Sequence, residues 1–278
     1  MQIVDSQVHI WAASTPERPW PPAPAPPHRP QPFSADDLLR EMDAAGVARA
    51  VLVPPSWEGE RNDLALAAAR VHPQRFAVMG RINNAAPDAR EQLARWRKQP
   101  GMLGLRFTFA RPALQAPLVD GRLEWLWTAA EQHALPVMMI VAPMHLELVG
   151  GIAARHPGLK LVMDHLALHA RTFEPAAFAD LDALLALAKY ANVAVKASCL
   201  PSYASDAYPY ASLHPHIKRV YDAFGPRRVF WGTDLTRLPC SYRQAITLFT
   251  EELPWLSEDD KAWIMGRGIC EWLGWPLP

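Results

Sequence analysis

Eight short, mostly apolar runs alternate with segments of helical spacing, and that alternation leaves few folds open to this chain. The runs are Ile3–Trp11, Ala50–Pro54, Phe76–Gly80, Leu103–Phe107, Pro136–Val141, Lys160–His165, Val193–Ser198 and Arg228–Asp234. Helical spacing falls at 34–46, 62–72, 88–98, 123–133, 146–156, 178–190, 216–224, 242–252 and 258–272. Near-continuous apolar strands are those covered on both faces, as in a parallel sheet. Strict strand–helix alternation is the α/β pattern. Eight such units within 278 residues fit a single (β/α)8 TIM barrel over 1–278. A doubly wound open sheet is the alternative, but the first strand–helix connection carries prolines where a glycine-rich phosphate loop belongs.

That connection, 15–33, holds Arg18-Pro19-Trp20-Pro21-Pro22 and ends on a capping-box-like Ser34 and Asp37. Proline restricts the unfolded chain, so such a loop can be ordered without regular structure. It is either a surface excursion or a lid over the first strand, with Trp20 or Arg18 turned to a ligand.

With 28 basic and 28 acidic residues the charge is balanced, which favours neither nucleic acid nor a membrane surface as partner. Three scattered cysteines, Cys199, Cys240 and Cys270, make no disulfide framework and imply a reducing cytoplasm. The expected partner is a small-molecule substrate. A homo-oligomer is compatible with the sequence, because barrel and interface helices read alike.

In a barrel of this kind the reacting groups sit at the C-terminal ends of the strands. Those ends carry Gln7 and His9, Arg106, Asp164 and His165, Lys196 and Ser198, and Asp234. Alternation along a pleated strand turns Asp5, Gln7 and His9 to one face. Each residue has a structural reading as well. His9 could be a hydrogen-bonded core histidine, Asp234 a turn cap, and Arg106 the partner of Asp5 or Asp234. Lys196 is expected to point outward between helices. His165 is not expected to pair with Asp164, because neighbours on a strand face opposite ways. The joint pattern of His9, His165 and Asp234 favours a functional site.

At these residues the chain resembles the amidohydrolase superfamily, in the branch of amidohydrolase-related TIM-barrel hydrolases. That branch holds sugar-acid lactonases and 2-pyrone-4,6-dicarboxylate lactonase, and is related to aminocarboxymuconate decarboxylases. The resemblance rests on Asp5-Ser-Gln-Val-His9, Met163-Asp-His165-Leu, Trp231-Gly-Thr-Asp234 and the closing Ile264–Gly274 segment. The family's first motif is His-x-His, and here Gln7 replaces its first histidine. In metal-using relatives the histidines and the strand-eight aspartate hold a divalent ion. The carried-over ligands are His9, His165 and Asp234, which predict at most a weakly held ion such as zinc, since an amide oxygen is a poor zinc donor.

The resemblance implies hydrolysis of a small carboxylated or sugar-acid lactone, with no cofactor required. Asp234 would be the general base. His9, His165 and Gln7 would bond the developing oxyanion, and Arg106 a substrate carboxylate. Trp11, Trp20 and Tyr203 would offer stacking surface. A metal-dependent decarboxylase or amidohydrolase, and a non-catalytic binding barrel, are the competing readings.

Overall fold

The computed structural model describes residues 1–22, 25–109, 112–169 and 171–277. Its eight strands are β1 (Val4–Val8), β2 (Arg49–Leu52), β3 (Phe76–Gly80), β4 (Met102–Phe109), β5 (Val137–Val141), β6 (Leu161–Met163), β7 (Val193–Ser198) and β8 (Val229–Gly232). They pair in parallel, in chain order. The Asp234 N–H donates to the Gln7 carbonyl at 2.8 Å, which brings β8 beside β1 and nearly closes the sheet into the expected (β/α)8 barrel.

Helices α1 (Ala35–Ala45), α2 (Asp63–Val71), α3 (Ala89–Ala94), α4 (Pro112–Val119), α5 (Glu124–Gln132), α6 (Leu146–Arg155), α7 (Leu181–Leu185), α8 (His214–Phe224) and α9 (Tyr242–Thr250) run between and after the strands. The chain then finishes with α10 (Glu258–Ala262) and α11 (Gly268–Leu273). Ser34 and Asp37 close a reciprocal capping box on α1. Helix α4 is not foreseen in the sequence, because Pro117 inside it reads as a breaker. The closing helix is broken by a π-turn at Trp263–Arg267. There a Cβ on Gly266 would meet the Gln2 carbonyl at 2.4 Å, so the helix bulges where the chain's first residues press on it.

Two apolar layers result. Val4, Val51, Met79, Met138, Ala194 and Phe230 fill the barrel, together with Ile269, Leu273 and Trp275 from the chain's end. A larger layer lies between sheet and helices and includes Trp127, Trp231 and Phe249. No helix among the described residues is long and apolar enough to cross a membrane.

Candidate active site

The first strand does not keep its alternation. Its pairing with β2 shifts between Asp5 and Val8, and a shift of this kind re-aims the side chains that follow it. Asp5 therefore does not share a face with Gln7 and His9, contrary to the sequence expectation. It accepts hydrogen bonds from Tyr242 Oη (2.7 Å), the Thr233 N–H (2.9 Å) and the Gln7 N–H (3.0 Å), and from the Thr233 hydroxyl. Burial pushes its carboxyl up to about 6 against these bonds. Asp5 thus fixes the turn that carries Asp234.

Three strands end in left-handed backbone. His165, Leu166 and Ala167 after β6 have φ of 52°, 53° and 51°; Cys199 after β7 has 60°, and Asp234 after β8 has 51°. Such residues carry backbone strain, which gathers at functional sites. The turn after β6 also undoes the opposite-facing expectation for Asp164 and His165. The strand stops at Met163, and both side chains enter the mouth of the barrel. They remain unpaired with each other. Asp164 takes Arg106 Nε at 3.1 Å and Lys196 Nζ at 2.6 Å, while His165 Nδ1 lies 2.9 Å from Ser198 Oγ.

Lys196 is fully buried rather than outward-facing. It follows Ala194 by two residues on β7 and so shares the barrel interior. There it donates to Gln7 Oε1 at 2.5 Å besides pairing with Asp164. Arg106 is also committed, to Asp164 and Thr108 rather than to Asp5 or Asp234. With Asp164 on its Nε, the Arg106 guanidinium already serves an internal carboxylate.

Asp234 is the centre of the group. Its Oδ1 is 3.3 Å from His9 Nε2 and 3.9 Å from His28 Nδ1. Its Oδ2 is 3.8 Å from His165 Nε2 and 3.6 Å from Arg237 Nη1. Burial raises the Asp234 carboxyl, but His9, His165, His28 and Arg237 together outweigh it and hold the group below the usual carboxylate range. Burial lowers the histidines, His165 to about 4 and His28 to about 3, with His9 also below its usual 6.5. With the imidazoles lowered, Arg237 is the neighbour of Asp234 that keeps its positive charge at neutral pH.

The His9 ring is fixed by the Val53 carbonyl, 2.5 Å from Nδ1. A carbonyl only accepts, so Nδ1 carries the hydrogen and Nε2 presents a lone pair. His9 cannot then donate to an oxyanion from Nε2, which removes that expected role.

Above this group lies a cavity of about 570 Å³ bordered by Arg81, Asp164, His165, Tyr203 and Arg237, a size suited to a small ligand. Pro21, Pro22 and Ala25 of the Pro-rich loop form part of its wall. Its expected contact residues do not face the ligand space. Arg18 pairs with Glu58 at 3.1 Å and Asp63 at 2.5 Å. Trp20 packs on the core, and Trp11 is bridged to Phe33 and meets Trp57 edge to face. The loop contributes His28 instead. Sequence reasoning missed it, and its one signal was a lone imidazole in a loop returning past the first strand.

Residues 4–268 match the amidohydrolase family. The chain is similar to an L-fucono-1,5-lactonase from Burkholderia ambifaria, 28% identical over 237 residues that cover 83% of this chain and 79% of that protein. In fold it is similar to an amidohydrolase from Burkholderia multivorans solved with bound zinc (TM-score 0.81, 24% identity, 99% of this chain and 100% of that one). It is also similar to a probable 2-pyrone-4,6-dicarboxylic acid hydrolase from Acinetobacter baumannii with citric acid bound (TM-score 0.76, 17% identity, 99% and 100%). With a matching family pattern over most of its length and a carboxylate set among imidazoles at the barrel mouth, this chain belongs to the amidohydrolase family and is a hydrolase.

Proposed function

We propose that the protein opens a small lactone bearing a carboxylate or a sugar-acid chain, with Asp234 as general base. The observation that carries this reading is the buried Asp234 carboxylate, held below the usual carboxylate range, whose neighbours His165 and Arg237 border the cavity. The lactonase relative and the pyrone-dicarboxylic acid hydrolase fold neighbour support the substrate class.

A water beside Asp234 Oδ2 loses a proton to that oxygen as it attacks the lactone carbonyl carbon. The ring C–O bond then breaks, and the proton passes from Asp234 to the departing ring oxygen, giving the hydroxy acid. In this reading Ser198, 2.9 Å from His165 Nδ1, donates to it, so that Nε2 carries an N–H to bond the carbonyl oxygen as charge develops. An alkoxide leaves more readily than an amine, so a lactone asks less of the site than an amide does.

Residues fitted to a metal are also present. Among the described residues, one ligand atom each from His9, His28 and Asp234 lie within 4.8 Å of one another. A zinc ion there would supply Lewis acidity and a more acidic bound water. The set first expected, His9 with His165 and Asp234, is not the one that clusters.

Asp234→Asn should lower turnover of a carboxylated lactone by about 10²–10⁴-fold, with an unchanged circular dichroism spectrum. Near-wild-type turnover in that variant would remove Asp234 as the base. Among the described residues, Arg81, buried on the cavity wall, has the exposed Glu60 as its one carboxylate partner, at 3.3 Å. Arg81→Gln should raise KM for a carboxylated lactone by about 10–100-fold, the worth of a hydrogen bond to a charged group, and leave KM for a neutral sugar lactone nearly unchanged. Equal effects on both would show that Arg81 does not read the carboxylate.

A further inference from the structure

We propose, resting on the lactone-opening reading above, that the substrate carries a second, uncharged sugar ring, held in a cleft beside the reaction cavity on the far side of Arg237.

The cleft encloses about 600 Å³, within the roughly 300–1,000 Å³ range of small-molecule sites. The segments that follow β6, β7 and β8 build it, so it lies on the same face of the barrel as the reaction cavity. One wall is common to both. Arg237 borders the two spaces, and the tight turn Leu200–Tyr203 gives Tyr203 to the cavity and Pro201 and Ser202 to the cleft. Arg237 stands at this joint with unused donors. Among the described residues its guanidinium meets no hydrogen-bond acceptor, and the carboxylate beside it, Asp234 Oδ2, is 3.6 Å away. A ligand that spans both spaces supplies acceptors there, through its glycosidic and ring oxygens.

The lining fits a neutral, hydroxylated ring. Among the described residues of the wall there is one charge of each sign, Arg237 and Asp206, which favours neither a cation nor an anion. Phe173, Tyr208 and Tyr210 supply ring faces. Phe173 is 61% exposed, yet its place is set, because the N–H of the next residue, Glu174, donates to the Tyr203 carbonyl at 2.7 Å. Tyr208 is held by its hydroxyl, 2.9 Å from Thr247 Oγ1 and 2.8 Å from Glu252 Oε1, and meets the Tyr210 ring edge to face at 5.8 Å. Aromatic surface with a few placed polar groups is the make-up of a small-ligand site. The C–H face of a sugar packs on such rings, and its hydroxyls take the polar groups around them. Gln244 offers one donor. Its Oε1 is spent on the cap of α9, accepting from the Ser241 N–H and hydroxyl at 3.1 Å each, while its amide nitrogen has no acceptor among the described residues.

The test measures, by calorimetry on the intact protein, the binding of gluconic acid and of three acids that append a neutral sugar to it: lactobionic, cellobionic and maltobionic acid. At least one two-ring acid should bind about 10-fold or more tighter than gluconic acid, the worth of one or two added hydrogen bonds. Phe173→Ala should bring that acid down to the wild-type affinity for gluconic acid. Gln244→Glu keeps the capping oxygen, loses the amide donor and should weaken the same acid by about 10-fold. Met144→Ala, an exposed apolar residue that borders neither space, should keep the preference. Circular dichroism checks that each variant is folded. No two-ring acid tighter than gluconic acid, or a preference that survives Phe173→Ala and Gln244→Glu, would overturn the assignment. These are opened acids, so turnover is a separate readout. A preference without hydrolysis of the matching lactone unseats the reaction and leaves the second ring's site standing, and hydrolysis without a preference unseats the cleft alone.

Discussion

A lysine on a barrel strand can reach outward past the helices to water or inward to a buried acid. Lys196 takes the second course, and the choice depends on Gln7 and Asp164, which approach it from other strands. No reading along β7 alone contains that information. The same holds for Asp5, whose side was set by a register shift that leaves no residue-level mark. What was legible at this scale was the coming together of His9, His165 and Asp234, because strand ends converge in a barrel whatever their detailed aim. Protonation behaviour is also a residue-scale property. A histidine held neutral below its ordinary 6.5 destabilises the fold when acid forces a proton onto it, since the unfolded chain binds that proton first. Asp5, raised to about 6, works the other way between its ordinary 3.8 and that value. Three histidines outnumber one carboxyl, so Tm should fall as pH drops from about 6.5 to about 4. Thermal denaturation across a buffer series measures this. A Tm that stayed level or rose over that window would mean the imidazoles are charged in the folded state.

At the scale of elements, every strand could be found because an apolar run covered on both sides needs no partner pattern to be recognised. Helix starts with reciprocal caps, such as Ser34 with Asp37, were equally plain. Helix α4 hid behind its proline. The expected 178–190 helix proved to be a five-residue α7 between tight 3-10 turns at Ala176–Phe178 and Ala186–Lys189. Where two strands approach closely, side-chain absence does the work. A Cβ on Gly104 of β4 would meet the Pro136 carbonyl at 2.3 Å and the Met79 methyl at 2.7 Å. Gly104→Ala should therefore destabilise the protein by about 1–3 kcal/mol, the usual cost of overpacking. Urea unfolding followed by fluorescence gives the value, and an unchanged midpoint would show that β4 and β5 can part without cost.

For the molecule as a whole, polarity is distributed end to end. Buried ions, the proline-rich segment and the left-handed turns at His165, Cys199 and Asp234 gather at the mouth where the strands finish. The opposite end is apolar. Leu273 and Trp275 pack into the barrel's own core, and Arg49 seals the rim by stacking over Trp275 at 4.6 Å and donating to the Pro276 carbonyl at 2.7 Å. Among the described residues the barrel is stoppered at this end, so a ligand enters and a spent molecule leaves at the mouth, past Pro21 and Pro22.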